Sequence, residues 1–291
     1  MANQVSSIAS QLPLLKNYYG PGVISQFSDA IPAYANMEKG AEKYVGSKVV
    51  RALKVRRNQG IGATAERGTL PALGKQTVIN AEIQAKFHYL RVGITAQMIA
   101  ASKTDRGAFA SDFSFEMQEG LNDFKNDFNR CMFWDGSGTL ATVAANAVSS
   151  NVITATGRTS SEAGNKYIDV GMVIDIVSSG VVVASSVGVT AVSGTTTATI
   201  TLATPVTVSA TDIIVRAGSY NLEMQGFLTS QDGATSTIYN VDRSTYSLYQ
   251  GNSINALGAQ LNLALMQQAF NEARRRGDSK VDLVLCDFDT E

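Results

Sequence analysis

The chain has 291 residues, 44 % of them hydrophobic and 17 % charged, enough for one large or two to three small domains with ample core; this excludes a disordered chain. Its formal net charge is −1, yet residues 1–140 carry 16 Lys/Arg against 12 Asp/Glu and residues 141–291 carry 8 against 13. That division, +4 against −5, suggests complementary surfaces more than a nucleic-acid binder, which would be basic over a whole domain.

The opening MANQVSSIASQLP lacks a charged segment followed by an apolar one, and no apolar run reaches membrane-spanning length, so the expected place is the cytosol. Cys131 and Cys286 stand alone in apolar surroundings and are expected as reduced, buried thiols. Residues 1–47 read as an arm with one short helix, on which Val23, Phe27 and Ile31 share a face between Pro21-Gly22 and Pro32.

Residues 48–56 and 82–94 are strand-like, the second with Ile83, Ala85, Phe87 and Tyr89 on one face and Gln84, Lys86 and His88 on the other. The connector between them contains Gly60, Gly62, Gly68, Pro71 and Gly74, which forbid a regular element. From Lys48 to Lys75 the charges are Lys48, Arg51, Lys54, Arg56, Arg57, Arg67 and Lys75 against Glu66 alone, a net +6. A long basic hairpin that cannot fold back onto its own core reads as an arm reaching outwards; the bland alternative is a mobile, nonspecific basic loop.

The segment 111–135 carries Phe113, Met117, Leu121, Phe124, Phe128 and Met132 at helical spacing, with Ser111 as N-cap and Gly136 and Gly138 as the stop. Burying six such side chains is worth on the order of 10 to 18 kcal/mol before chain entropy, so this helix is expected to lie against something large. Asp112, Glu116, Glu119, Asp123, Asp127 and Asp135 against Lys125 and Arg130 make its other face acidic, net −4. Water satisfies such a face as well as a basic partner does.

Residues 141–220 change character to Thr, Val, Ser, Ala and Gly. NVITAT, MVIDIVSS, VVVASSVGVTAV, TATITLATPVTV and DIIVRAG are five β-rich runs, with turns at Gly157, Ser179-Gly180, Gly194-Thr195 and Ser209-Ala210. They predict a small antiparallel β module inserted into a host domain. Residues 221–256, anchored by Tyr239, Tyr246 and Tyr249, read as a long crossing connection. A second amphipathic helix follows, with Leu257, Leu261, Ala264, Leu265, Ala269 and Ala273 on one side, Arg274–Arg276 at its negative end and Gly277 beyond. VDLVLCD, residues 281–287, reads as a buried strand; since such a strand needs neighbours, truncation of a longer sequence is the favoured expectation.

Chemistry is sparse. His88 is the one histidine and lies on a polar strand face, so no histidine triad and no two-histidine metal site is available. Gly60-Ile61-Gly62 lacks the rest of a dinucleotide loop, and Asp135-Gly136-Ser137-Gly138 ends a helix instead of joining strand to helix. Asp123 with Asp127 fits a solvated face, Asp287 and Asp289 are weak candidates for a divalent ion, and Arg274–Arg276 fit a helix end better than a nucleic-acid backbone. No catalytic, cofactor-binding or metal-binding residue is assigned, and no cofactor.

The order of parts resembles the major capsid protein of tailed bacteriophages, the Hong Kong 97 fold. In that family's terms Val49–Ile94 resembles the extended E-loop, Phe113–Phe133 the spine helix, FWDGSG (133–138) its close, and IYNVDRSTYSLYQG (238–251) the return through the peripheral domain. The resemblance implies an α+β Hong Kong 97-type capsid fold: an N-terminal arm (1–47), the E-loop hairpin with flanking strands (48–94), a peripheral domain with the spine helix (95–140), an inserted small antiparallel β domain (141–220), the peripheral return (221–256) and the truncated start of an axial domain (257–291).

It further implies a structural protein, not an enzyme, that self-assembles into pentamers and hexamers of an icosahedral virion capsid. The capsid encloses double-stranded DNA contacted non-specifically, is made in the bacterial host cytoplasm, involves no membrane, and has portal, scaffold and decoration proteins as possible partners. The expected inter-subunit contacts are Arg51, Lys54, Arg56, Arg57, Ile61, Arg67, Leu70, Leu73 and Lys75 on the E-loop and Asp112, Glu116, Glu119, Asp123 and Asp127 on the spine helix. Ile79 is a further apolar contact, and Lys54 or Lys75 are crosslink donors in principle only. Two other readings stand beside it: another assembly protein, such as a tail tube or a β-rich cell-surface module, and a hydrolase built around Ser137 or the terminal aspartates.

Overall fold

The centre of the protein follows from alternation. The computed structural model describes residues 48–93, 95–97, 112–159, 162–231, 237–256, 261–277 and 281–285. The first strands in chain order are β1 (Lys48–Arg56) and β2 (Thr77–Gln84), followed by helix α1 (Asp112–Met132). Six strands come next: β3 (Thr139–Val143), β4 (Ala147–Thr156), β5 (Val173–Ser178), β6 (Val181–Ser193), β7 (Thr197–Val208) and β8 (Ile213–Arg216). β7 buries Ala198, Ile200, Leu202, Val206 and Val208 and leaves the residues between them wholly or partly exposed, the period of two that a one-sided strand imposes. Ile153, Ile174, Ile176, Val187, Val189 and Ile214 from the neighbouring strands complete the same core.

These strands close on themselves in the order β3-β4-β7-β6-β5-β8, every neighbour antiparallel. Closure gives each strand a neighbour on both sides over part of its length and so removes most of the edge that a flat sheet of the same strands would expose. Ser179 (φ 49°) and Gly180 (φ 85°) form a two-residue turn between β5 and β6, both in the left-handed region that such hairpins need. Two carboxylates are buried in the barrel wall, and backbone amides satisfy each. Asp175 accepts from the N–H of Ser186 (2.7 Å) and of Gly218 (2.8 Å), and Asp212 from that of Ser209 (2.7 Å).

This architecture corrects the expected α+β Hong Kong 97-type capsid fold with a spine helix, peripheral and axial domains and an inserted β domain. The structure is mostly β, and a closed six-stranded barrel supplies its core. The five β-rich runs are strands where expected, but a sixth, β3, straddles the 141 boundary, and its pairing with both β4 and β8 closes the ring. The physical reason is where the apolar surface goes. The barrel buries the aliphatic residues that face its interior, whereas the helix stripe leaves Met117 and Leu121 about half exposed, at 47 % and 49 %.

The chain divides into two compact units, Met1–Ile31 with Leu90–Asn126, and Pro32–Tyr89 with Asp127–Glu291. In the first, Leu90 and Val92 lie over Gly120 of α1, where an added Cβ would meet the Val92 methyl at an ordinary contact distance of 3.4 Å. In the second, α1 ends in the buried run Arg130, Cys131 and Met132. Gly136 and Gly138, both at φ +85°, then turn the chain where the carbonyls of Met224 and Ser219 would lie 3.0 Å from an added Cβ.

The remaining elements of that unit are α2 (Phe227–Gln231), the paired β9 (Thr237–Ile238) and β10 (Val241–Asp242), a 3-10 turn at Ser247–Tyr249, and α3 (Leu263–Gly277). Three local expectations are corrected. The second strand of the basic hairpin is Thr77–Gln84 and not 82–94, because Phe87 and Tyr89 find no core and stand exposed. The last apolar run is not a buried strand over its described part, since residues 281–285 form no strand and are exposed. On α3, Leu265 and Ala273 are half-buried while Ala264 and Ala269 are exposed, so its stripe too lacks a full partner among the described residues. The N-terminal arm, Ser111, Leu257, Cys286, Asp287 and Asp289 lie outside the described residues. Among the described residues, no helix is long and apolar enough to cross a membrane.

Candidate functional site

β1 and β2 pair antiparallel from Lys48↔Gln84 to Lys54↔Val78, with a bulge before Arg56↔Thr77. The base of this hairpin is well anchored. Val55 and Ala81 are buried, Lys48 pairs with Glu82 at 2.8 Å, and the N–H of Glu82 donates to the carbonyl of Tyr239 at 2.8 Å. Tyr249 donates its hydroxyl to the carbonyl of Lys54 (3.1 Å), and the Arg56 guanidinium lies 6.0 Å from the centre of the Tyr246 ring. The tyrosines expected to anchor the crossing connection thus hold the root of the hairpin.

Beyond this root, residues 57–76 leave regular pairing but remain two-ply. The N–H of Gly60 donates to Oδ1 of Asn58 (2.8 Å), and a Cβ on Gly74 would collide with that oxygen and with the nitrogen of Gly60. Farther out, Gly62 lies against the Pro71 ring, where a Cβ would be 3.1 Å from Cγ. A turn closed by Gly68 N–H to the Ala65 carbonyl (2.8 Å), with Arg67 at φ 65°, ends the ribbon. The glycines read in the sequence as breakers are thus the positions where the two plies touch.

All nine hairpin residues expected at an interface, Arg51, Lys54, Arg56, Arg57, Ile61, Arg67, Leu70, Leu73 and Lys75, are exposed. Ile61 is 87 % and Leu70 80 % exposed, and Leu73 is fully so. Three large aliphatic side chains on a basic ribbon thus stand in water, uncovered by the described residues of this chain.

The acidic residues of α1 do not form one uniform face. Glu116 and Asp123 are exposed, Glu119 is half-buried, and the side chain of Asp112 lies outside the described set. Asp127 is committed within its own chain, to Nε of Arg130 (2.9 Å) and Nη2 of Arg216 (3.2 Å).

Sequence reading missed a buried polar cluster that joins the end of α1 to the segment after the barrel. Nη2 of Arg130 donates to Oε1 of Glu223, Sγ of Cys131 lies 3.2 Å from Oε2 of the same carboxylate, and Nη1 of Arg130 is 3.5 Å from the Thr139 carbonyl. Burial works against the Arg130 charge, but the Glu223 hydrogen bond and the nearby Asp127 hold the guanidinium more firmly protonated than usual. Burial pushes the Cys131 thiol up; Arg130 opposes the shift and Glu223 adds to it. Such a thiol is a poor nucleophile.

Beside it, the Arg158 guanidinium lies 4.5 Å from both the Trp134 and Tyr167 ring centres and pairs with Glu162 (2.7 Å), which also takes Lys166 (3.2 Å). A single Glu at position 223, in a turn-rich stretch, was the only sequence signal for the partner of Arg130.

Ser137, the nucleophile of the hydrolase reading, shares a hydrogen bond with Thr139 Oγ1 (2.7 Å), while its N–H donates to Asp135 Oδ1 (2.9 Å), an arrangement that closes the turn. His88 packs edge-on against Phe128 at 5.9 Å, beside a cleft of about 650 Å³ that Glu82, Lys86, Met224 and Tyr239 also line. Among the described residues no group of three or more His, Cys, Asp or Glu is placed to hold a metal ion. No protein-family model matches the chain, and comparison with curated proteins and with solved structures gave no match.

Proposed function

We propose that this chain is a structural subunit that assembles with copies of itself, the major capsid protein of a tailed-bacteriophage head built of pentamers and hexamers around double-stranded DNA. One observation carries the reading: a rooted, two-ply ribbon, net basic, projects Ile61, Leu70 and Leu73 with nothing from the described chain to cover them. The order of segments in the sequence is the reason to prefer a shell among possible assemblies.

A ribbon on one subunit and an acidic helix face on the next form a heterologous contact, the kind that closes rings. Glu116 and Asp123 beside the half-exposed Met117 and Leu121 offer charge and apolar surface on one helix, as the ribbon does. Exposed ion pairs contribute about 0 to 1 kcal/mol each, so they select partner and register. Each of the three aliphatic side chains adds roughly 1.5 to 3 kcal/mol on burial and supplies the affinity. Asp127, tied to Arg130 and Arg216, orients the helix end and takes no part in the contact.

The test is negative-stain microscopy of the expressed chain beside a variant lacking residues 57–75. Closed spheres from the first and dispersed subunits from the second are expected; normal shells from the deletion would overturn the reading. The closed barrel favours a second reading, since a β module that buries its own core also suits a tail tube or a surface module. Tubes in the images would select it.

A further inference from the structure

The β5–β6 hairpin carries an edge that the barrel leaves open. β6 pairs with β5 from Ser178↔Val181 to Val173↔Gly188, but its ladder with β7 begins only at Val189↔Leu202. β5 is covered on its other side by β8. Among the described residues, Val181–Ala184 therefore has a strand on one side and none on the other. Val181, Val182 and Val183 are 66 %, 41 % and 50 % exposed in succession, so both faces of the strand meet water here. From Ile176 to Val192 there is no charge and no proline, the devices that ordinarily blunt such an edge.

We propose that this edge pairs antiparallel with the same edge of a second copy, about a two-fold axis. The inference rests on the reading of the chain as a shell subunit and supplies a contact that reading lacks. Antiparallel pairing of one strand with its own copy satisfies every outward N–H and C=O reciprocally. An uncharged edge does not repel its mate, and the valines of the two copies flank each other across it.

Size decides when the contact acts. Four residues span about 13 Å, and such a patch falls well short of the roughly 800 Å² per partner of a stable interface. The edge therefore holds two free subunits together only weakly, at high concentration; it acts chiefly between subunits already brought close by the basic ribbon. Heterologous ribbon contacts close rings, and an isologous edge contact links one ring to the next.

Val182 is the residue to change. Ser178 and Val181 close the two-residue turn as a hydrogen-bonded pair, which directs the N–H and C=O of Val182 to the open side. Val182→Pro removes that donor without breaking the β5 ladder, and Val182→Thr retains it. The full chain and both variants would be compared by circular dichroism for folding, by sedimentation velocity over a range of concentrations, and by negative stain.

The expected result is a folded Val182→Pro protein that stops at rings, with at least a tenfold loss of closed particles, and a Val182→Thr protein that assembles like the parent. Closed particles from Val182→Pro at the parent's yield would overturn the proposal. Should the proline variant fold poorly, Val182→Lys reads the same contact by placing like charges near the axis, with the same two outcomes. Leu70→Ser/Leu73→Ser separates the two ideas, because it removes the rings themselves. A parent chain that forms no rings but shows a concentration-dependent dimer, lost in Val182→Pro, keeps the edge contact and ends the shell reading. A parent monomeric at every concentration overturns both.

Discussion

Glu223 holds two groups of the last turn of α1 with one carboxylate: Oε1 accepts from Nη2 of Arg130 and Oε2 lies 3.2 Å from Sγ of Cys131. The side chains of Arg130 and Glu223 are 1 % and 7 % exposed, so removing either leaves the other charged and buried. Arg130→Met should therefore lower unfolding stability by about 3 to 5 kcal/mol, read from urea denaturation midpoints. The double variant Arg130→Met/Glu223→Leu should recover much of that loss, since both desolvation penalties go with the pair. A double variant as weak as the sum of the two singles would place the stabilisation elsewhere.

The same burial fixes the chemistry of the thiol. Cys131 is free and buried, and burial pushes its ionisation up, so it should resist a thiol reagent at pH 8 in the folded chain. Site-resolved mass spectrometry after labelling should find Cys131 modified only as urea carries the chain through its unfolding transition. Labelling at the rate of an unfolded peptide would mean that the cluster opens in the native state.

The contrast between these two residues marks how much was legible. A cysteine in an apolar helical context reads correctly as a buried thiol, because burial of Cys131 follows from its immediate neighbours. Arg130 reads from its spacing as part of the outward acidic face, and nothing local corrects that, since its partner stands 93 positions away. The strands from β4 to β8 are legible for a local reason as well: alternation and turn residues such as Ser179-Gly180 sit within each run. Closure is not legible, because it depends on the five residues of β3 pairing across the chain with β8, Thr142 against Ile213. The helix stripe failed for the complementary reason. Periodicity tells which residues share a face, but not whether the chain supplies anything to cover Met117 and Leu121.

A second charged group predicts a pH response. Burial tends to raise the Glu162 carboxyl, but its hydrogen bonds and charge interactions with Arg158 and then Lys166 prevail and hold it at about 2, against an ordinary 4.5. The unfolded chain thus binds more protons than the folded one between these values, so the contribution of Glu162 is complete above about pH 4.5 and is lost as pH falls towards 2. Glu162→Gln should flatten that part of the stability curve relative to the parent, measured by thermal melts from pH 6 downwards. An unchanged acid limb would show that Glu162 is not held by Arg158 in solution.

Two glycines separate crowding from conformation. A Cβ on Gly164 would fall on the carbonyl oxygen of Ala155 in β4 and reach the nitrogen of Ala198 in β7 at 3.0 Å, so the chain there lies directly on the barrel wall. At Gly171 a Cβ would meet open space, but the backbone is at φ +91°. Gly164→Ala should lower stability by more than about 2 kcal/mol, because backbone atoms of two strands must move. Gly171→Ala should lose only about 1 to 2 kcal/mol, the strain of a left-handed residue. Equal losses would remove the close approach at Gly164 from the account of the barrel.

The basic ribbon should affect assembly and leave folding alone. Residues 57–76 touch one another at Gly60, Gly62, Pro71 and Gly74, and their large aliphatic side chains stand in water, so their removal takes no apolar area out of the barrel core. The deletion of residues 57–75 should melt within about 2 °C of the parent, because substitutions away from packed features are generally worth less than about 0.5 kcal/mol. Charge on the ribbon should instead set the rate at which copies meet. At about 1 M salt the screening length falls to roughly 3 Å, and light scattering should then register slower particle formation, with Arg57→Gln/Arg67→Gln/Lys75→Gln slow at low salt as well. Assembly rates indifferent to both salt and these substitutions would assign the contact to Ile61, Leu70 and Leu73 alone, with no steering by the basic residues around them.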